Sequence, residues 1–175
     1  MDMIQNLRQK LSELPKERLL DYMEMQCKNL WTLQNNYMVN LEERYGHELA
    51  TEFDSMCFGR MAEVAYYRLK RFFDLGDDIE SLRTCKQYFV AEPGTEGEVF
   101  RKGDNRIVTR ITKCNMQLER KKRGAPELPC KPALFGVMDR AVKAINPKFE
   151  IIRHMAPPDP HPENLWCELE VELED

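Results

Sequence analysis

The sequence predicts an α+β fold in which long N-terminal helices pack on a C-terminal antiparallel sheet with one crossing helix. Apolar residues recur at three- and four-residue spacing through the first half of the chain, which is typical of amphipathic helices. From about residue 86 the pattern changes to short β-branched segments separated by turn residues. Helices followed by strands favour α+β over an alternating fold. We interpret 1–84 as a helical layer and 85–175 as an antiparallel sheet plus a helix over 132–145, together one domain.

Three helices are predicted in the helical layer. Pro15 is a favoured first-turn residue, and an apolar stripe follows it, so a long helix is expected there. Gly46 is the expected break, and a second helix should then end near Gly76. The next segment, "DDIESLRTC", predicts a short third helix capped by Asp77 or Asp78.

The second half is predicted to contain several strands and a helix. The expected strands are "KQYFVAE" (86–92), "GEVF" (97–100), "RIVTRITKC" (106–114), "KFEIIRHM" (148–155) and "LWCELEVELE" (165–174). The segment "ERKKRGAPELP" predicts a short helical turn and a loop, and "ALFGVMDRAVKAI" has helical spacing. Because side chains alternate along a strand, Cys167 should face the core with the leucines, while the glutamates of the last strand form a solvated face.

Composition argues against two classes of partner. The formal net charge of −4 disfavours a general nucleic-acid binder, because binding to phosphates needs a basic surface. No apolar run approaches the roughly 20 residues of a membrane span. The N-terminal sequence is amphipathic and has no apolar signal region, so we expect a cytoplasmic protein that binds neither nucleic acid nor membrane.

The chain has six cysteines, which we expect to be reduced thiols in a cytoplasmic protein. Free cysteines are often buried as small hydrophobic residues, and this is our interpretation of Cys27, Cys57 and Cys85. No C-x-x-C pair is present, so a metal site would need ligands from distant segments.

The other three cysteines allow a metal site. Cys114, Cys130 and Cys167 lie near polar breaks, and His154 or His161 is available as a fourth ligand. Thiolate and imidazole together suit zinc or another soft transition metal. The alternative is again a role in the core.

A nucleophilic role for Cys130 is a further possibility. A cysteine activated by a histidine can attack a substrate, so Cys130 as nucleophile and His161 as general base are candidates. The adjacent Lys131 would favour the thiolate if the two side chains met. A rigid Asx-type turn in "PPDPHP" accounts for Asp159 without any chemistry.

Four segments carry a resemblance to a known family. They are "LWTLQNNYMVNLEERYGHELATEFD", "CNMQLERKKRGAPELPCKP", "INPKFEI" and "APPDPHPENLWCELEVELE". The chain resembles, from about residue 15 to its end, an uncharacterised family of prokaryotic cytosolic proteins similar to the L-2-amino-thiazoline-4-carboxylic acid hydrolase-like group. The ordered motif of that resemblance, C-x-x-Q-x-x-R, then P-C-K-P, then P-P-D-x-H-P, then a cysteine, falls on Cys114, Gln117, Arg120, Cys130, Lys131, Pro157, Pro158, Asp159, His161 and Cys167.

The chain departs from the family pattern at two positions. Ala156 stands where a cysteine usually precedes the two prolines, and Leu169 stands where an aromatic residue tends to follow the last cysteine. The resemblance implies at most hydrolysis of a small cyclic amidine-like substrate.

Two functions are therefore expected, and the first is favoured because Ala156 replaces a family cysteine and no catalytic triad pattern is present. In the first, the protein is a cytoplasmic small-molecule-binding or sensor-like protein with a Cys-lined, metal-binding pocket. In the second, it is a hydrolase acting on a C–N bond, with Cys130 or a metal-bound water as nucleophile. Gln117, Arg120 and Lys131 are the candidate ligand-binding residues, and in the hydrolase either Arg120 or Lys131 would bind a substrate carboxylate. We expect a small-molecule ligand and a homodimer formed through the N-terminal helices.

Overall fold

The computed structural model describes residues 2–90 and 92–174, and its architecture confirms the predicted α+β fold. The described residues form six helices and four strands. The helices are α1 (Met3–Ser12), α2 (Lys16–Tyr45), α3 (His47–Phe72), α4 (Ile79–Tyr88), α5 (Asn115–Lys122) and α6 (Cys130–Lys143). The strands are β1 (Glu96–Arg101), β2 (Arg106–Lys113), β3 (Phe149–Met155) and β4 (Cys167–Leu173).

A glycine separates the two longest helices. Gly46 has φ 85°, a left-handed conformation that L side chains rarely adopt, and its N–H donates to the Glu42 carbonyl at 3.0 Å. Helix α3 then returns along α2 and also packs against α6. The break predicted at Gly46 is therefore confirmed.

Helix α4 is longer than the sequence predicted. The Asp78 carboxylate accepts a hydrogen bond from the Ser81 N–H at 2.8 Å and caps the helix. Ile79, Leu82 and Cys85 are buried, and the same apolar face continues into the next turn, so the helix runs to Tyr88. The strand predicted over 86–92 is wrong for this reason; one of its residues, Ala91, lies outside the described residues.

The four strands form one sheet in the order β1-β2-β4-β3, and every neighbouring pair is antiparallel. Strand β3 carries an irregularity between Ile151 and Arg153, which restores His154 to the face that holds Ile151. The crossing helix α6 begins at Cys130, two residues before the predicted start. The short helical turn expected in "ERKKRG" belongs to α5, which already begins at Asn115.

The main core lies between one face of the sheet and helices α3, α4 and α6. The sheet contributes alternate residues of its strands, and the helices contribute residues of their apolar faces, as side-chain periodicity requires. The buried members include Tyr66, Leu82, Ile107, Val137, Val142, Phe149, Leu169 and Val171.

The opposite face of the sheet is polar, yet its central carboxylates are buried. Glu168 is 5% exposed and Glu170 is 4% exposed, so the prediction of a fully solvated glutamate face is wrong. Arg110 and Arg153, from the strands on either side, lie 2.6 and 3.3 Å from the Glu168 carboxylate. Lys102 lies 2.9 Å from Glu170. These long cationic side chains, from or next to the neighbouring strands, cover the carboxylates of Glu168 and Glu170, because their aliphatic stems lie across the sheet.

The N-terminal helices expose much of their apolar surface. Met3, Ile4 and Leu33 are 89%, 73% and 68% exposed, and Leu20 and Met23 are more than half exposed. The homodimer through these helices stays a prediction. Among the described residues, the helices are all too short or too polar to cross a membrane.

Candidate functional site

A central cavity of about 630 Å³ lies between the core face of the sheet and helices α2, α3, α4 and α6. Its wall is predominantly apolar. Helices α2 to α6 and strands β1 to β4 all contribute residues to it, whereas α1 does not. Aromatic and aliphatic wall residues include Trp31, Phe58, Phe89, Val99, Ile111, Leu134, Val137, Met138, Trp166 and Leu169.

Three of the predicted site cysteines line this cavity. Cys114 precedes α5, Cys130 opens α6 and Cys167 opens β4, so the fold brings together thiols that are far apart in sequence. Burial, with a smaller contribution from the neighbouring Cys114 and Cys167, raises the pKa of Cys130 to about 12. Burial also raises the pKa of Cys167 to about 11 and that of Cys114 above its usual range. These thiols are therefore protonated at neutral pH, which is the opposite of an activated nucleophile.

The lysines adjacent to Cys114 and Cys130 in sequence do not activate these thiols. Lys131 Nζ lies 2.6 Å from the Asp159 carboxylate, and Lys113 Nζ lies 2.6 Å from the Glu96 carboxylate. Each cation is thus committed to a carboxylate at the surface of the protein. Lys131 is not a member of the cavity wall.

Among the described residues, no three His, Cys, Asp or Glu side chains form a group that could hold a metal ion. The predicted zinc or soft-metal site at Cys114, Cys130, Cys167 and His154 therefore has no support, although all four residues line the cavity. Ala156, at the position where the family pattern has a cysteine, is fully buried beside Pro157.

The cavity wall is braced by a buried amide. Gln117 is 1% exposed; its Nε2 donates to the Leu128 carbonyl and its Oε1 accepts from the Leu128 N–H, both at 2.9 Å. Nε2 also lies 3.2 Å from Cys130 Sγ. The amide of Gln117 thereby satisfies both backbone polar groups of Leu128, as a neighbouring strand would in a sheet. Gln117 was predicted as a ligand-binding residue, but its polar atoms are occupied by the protein itself.

His154 lies on β3 at the edge of the cavity. Its ring stacks on Phe135 with 6.0 Å between the ring centroids, and its Nδ1 is buried without a hydrogen-bond partner among the described residues. Burial, and secondarily the positive charge of Lys131, lowers the pKa of His154. A neutral imidazole is the consequence at neutral pH.

The proline turn closes one side of the cavity. The Lys131 N–H donates to the Pro157 carbonyl at 2.8 Å, and the Asp159 N–H donates to the Ala156 carbonyl at 2.9 Å. Pro157 is buried and lines the cavity. The turn is thus fastened to the first residues of α6, a role consistent with the structural interpretation of "PPDPHP".

His161 and Arg120, two other predicted site residues, lie outside the cavity wall. The His161 ring packs on Trp166 with 4.8 Å between centroids, and its Nε2 lies 3.7 Å from the Glu127 carboxylate. The Arg120 guanidinium donates to both oxygens of Glu42 at 2.9 and 3.0 Å and to the Pro126 carbonyl at 2.8 Å. Its donors therefore hold α5 against α2.

Lys86 is a cavity residue that the sequence analysis missed. It lies on α4 within the apolar face formed by Leu82, Cys85 and Phe89, and it lines the cavity. Burial lowers the pKa of Lys86 to about 8, an effect that the nearby Cys167 partly opposes. The available signal in the sequence was the spacing of apolar residues. Lys86 follows Leu82 by four residues and precedes Phe89 by three, a position at which the helical period places a core side chain.

Two carboxyl groups on the wall are held by neighbouring polar side chains. The Asp54 carboxylate accepts from Gln34 Nε2 at 2.9 Å, and the Glu92 carboxylate accepts from the Thr95 hydroxyl at 3.0 Å. Burial raises the pKa of both carboxyl groups, and these hydrogen bonds act in the opposite direction. The Thr109 hydroxyl is buried without a partner among the described residues.

Comparison with known proteins assigns the chain to a family. The model of a family of unknown function, DUF6125, matches residues 10–173, so the chain belongs to that family. No curated protein and no solved structure matches the chain. The resemblance to the thiazoline-carboxylate hydrolase-like group thus has no support from these comparisons.

Replacement of the buried amide should destabilise the fold. Gln117→Leu leaves both polar groups of the Leu128 backbone without a partner, so we expect the free energy of unfolding to fall by about 3 kcal/mol. Urea denaturation followed by tryptophan fluorescence measures this change. The control is Gln26→Leu at an exposed position of α2, which should change stability little. Equal stability of the two variants would contradict the role of the amide.

The Glu42–Arg120 pair predicts a dependence of stability on pH. The hydrogen bond from Arg120 is the main cause that lowers the pKa of Glu42 from 4.5 to about 2. The stabilisation is therefore complete above the unfolded-state pKa and is lost as the pH falls from about 5 towards 2. Glu42→Gln should lower the free energy of unfolding by about 1–2 kcal/mol at neutral pH and flatten its decline in acid, since the site is only partly buried.

Urea denaturation at several pH values tests this second prediction. Glu43→Gln changes an exposed neighbour on the same helix and is the matched control. A decline in acid that is as steep in Glu42→Gln as in Glu43→Gln would show that the pair does not cause it.

Thiol labelling should separate the cavity cysteines from the exposed one. Cys57 is exposed, so its predicted place in the core is wrong. Cys130 and Cys167 carry raised pKa values, and in the folded protein we therefore expect iodoacetamide to modify Cys57 at least about tenfold faster than these two at mildly alkaline pH. Mass spectrometry of peptides from timed samples gives the rates, and labelling in urea should equalise them. Rapid, selective modification of Cys130 would reverse this conclusion and favour a nucleophilic role.

Proposed function

We propose that this protein binds an apolar small molecule in its central cavity. The observation that supports the proposal is the cavity itself, with its volume of about 630 Å³ and its predominantly apolar wall. Sites for small ligands typically have about 300–1,000 Å³, mostly apolar walls and a few polar groups. The cavity has all three properties, because Lys86, Asp54 and Glu92 are spaced around an aromatic and aliphatic surface.

The close packing of the residues around the cavity favours a defined binding site over a loosely packed core. Val137 and Leu169 line the cavity on one side and are 1% and 3% exposed. Tyr66, also on the wall, is 2% exposed. Protein interiors have few voids larger than a water molecule, so a cavity of this size beside a close-packed core is a specific feature.

Binding is better supported than hydrolysis of a C–N bond. A nucleophilic cysteine requires a lowered pKa and a base within hydrogen-bond reach. Burial raises the pKa of Cys130, and its nearest polar contact is the amide of Gln117, while His161 lies on Trp166 outside the cavity wall. The three thiols are better suited to act as soft, neutral wall groups.

Titration with a neutral fluorescent probe tests the proposal. N-phenyl-1-naphthylamine should bind the wild-type protein at one site with enhanced emission. Ala133→Trp and, separately, Leu134→Trp place a large ring on the cavity wall, so each should weaken binding by at least about tenfold. Circular dichroism and urea denaturation show whether each variant is folded.

The matched control is Arg140→Trp, which places the same ring on the same helix at an exposed position outside the cavity wall. Its probe affinity should equal that of the wild type. If the wild-type protein does not bind the probe, or if folded Ala133→Trp and Leu134→Trp bind it as tightly as Arg140→Trp, the central cavity is not the site.

A further inference from the structure

The cation of Lys86 is unusual for its surroundings. The side chain is half-buried on the face of α4 that carries the fully buried Leu82 and Cys85, and it lines the cavity. It makes no hydrogen bond or ion pair with any residue in the described ranges 2–90 and 92–174. Most other lysines with reduced exposure have a carboxylate partner, as Lys70 has Asp77 and Lys131 has Asp159.

The acidic groups of the cavity wall are not available to Lys86 as ion-pair partners. Asp54, on α3, is hydrogen-bonded to Gln34, and Glu92, before β1, is hydrogen-bonded to Thr95. Neither lies within ion-pair distance of Lys86.

Strands β1, β2 and β4 contribute further charged and titratable groups to the cavity wall. Glu98 of β1 lies 3.6 Å from the Arg110 guanidinium of β2, and Arg110 is also bonded to Glu168 at 2.6 Å. From β4, the thiol of Cys167 is the group whose charge interacts with Lys86. That thiol is protonated at neutral pH, because burial raises its pKa to about 11.

An ammonium group that is partly buried without a counter-ion is unfavourable, because the protein does not replace the water that the group loses. A ligand that brings an anionic group into the cavity would supply the missing charge. In an apolar enclosure a charge-assisted hydrogen bond from an ammonium to a carboxylate is roughly twice as strong as a neutral one. A neutral ligand would offer the ammonium only an uncharged hydrogen-bond acceptor.

We propose that the ligand is an amphipathic monoanion, an apolar body with one carboxylate that pairs with the Lys86 ammonium. This inference rests on the proposed function, since it assigns the chemical class of the molecule that the cavity holds. The apolar body would contact the aromatic and aliphatic wall, and the carboxylate would lie at α4.

A single negative charge fits better than the two of a phosphate monoester. Of the other cations, Arg110 also lines the cavity, but its guanidinium is paired with Glu168 and Glu98. Arg120 and Lys131 lie outside the cavity wall and are paired with Glu42 and Asp159. A dianion would therefore leave one charge buried and unpaired, which is strongly unfavourable.

The charge state of Lys86 makes the pairing sensitive to pH. With a pKa of about 8 the side chain is mostly protonated at neutral pH and loses its charge as the pH rises above this value. A carboxylate ligand should therefore bind more weakly in alkaline solution. A neutral ligand with the same apolar body should show no such change.

The test compares decanoate with decanol as competitors of N-phenyl-1-naphthylamine, each below its aggregation threshold, in the wild-type protein, Lys86→Met and Lys131→Met. For the wild-type protein we expect decanoate to bind at least about tenfold more tightly than decanol near neutral pH. Lys86→Met should abolish this preference, because decanoate then loses the charge that favours it over decanol. Lys131→Met removes a lysine from outside the cavity and should retain the wild-type preference.

Each outcome decides one of the two proposals. Equal affinities of decanoate and decanol in the wild-type protein, or a preference for decanoate that survives Lys86→Met, would overturn the assignment of a carboxylate to Lys86 while the binding function stands. Failure of the probe and of both competitors to bind would overturn the binding function itself. Raising the pH through about 8 should weaken decanoate binding in the wild type and in Lys131→Met but not in Lys86→Met, and an identical pH dependence in Lys86→Met would also contradict the pairing.

Discussion

The alternation of side chains along β4 is the constraint on which the structure depends, because this central strand must satisfy two different environments. Leu169 and Val171 face the helices and belong to the main core, and Cys167 opens the same face onto the cavity. Glu168 and Glu170 face the other way and are covered by cationic side chains of the flanking strands. A shift of one residue in register would exchange the two sets and place carboxylates in the core.

Two kinds of contact build the wall of the cavity. Helices α3 and α6 meet near Gly59, where a hydrogen replaces a side chain and an added Cβ would lie 3.5 Å from the Val137 side chain. Residues of α5 and of the proline turn form another part of the wall, and each of these segments is held by specific hydrogen bonds. Gln117 fixes the loop before α6, and Lys131 fixes the turn. These hydrogen bonds hold the wall segments in place without placing polar groups inside the cavity.

The electrostatics of the site are governed by burial. The same loss of water raises the pKa values of the Cys130 and Cys167 thiols and of the Asp54 carboxyl group, and lowers those of Lys86 and His154. Every one of these shifts favours the neutral form of the group. A cavity with such walls is suited to the apolar ligand that we propose, and the ammonium of Lys86, unpaired among the described residues, would orient a carboxylate on that ligand.

The sequence by itself determined the fold class, the break at Gly46, strands β1 to β4 and the inward direction of Cys167, because periodicity and turn residues act over short distances. It also singled out the cysteines at 114, 130 and 167, all of which line the cavity. Only the tertiary structure decided what surrounds them. Pairing with Asp159 and Glu42 removes Lys131 and Arg120 from the candidate ligand contacts, and burial sets the pKa of Cys130. The lack of an ion-pair partner for Lys86 could not be recognised from the sequence, because it depends on which charged side chains lie near Lys86 in the folded protein.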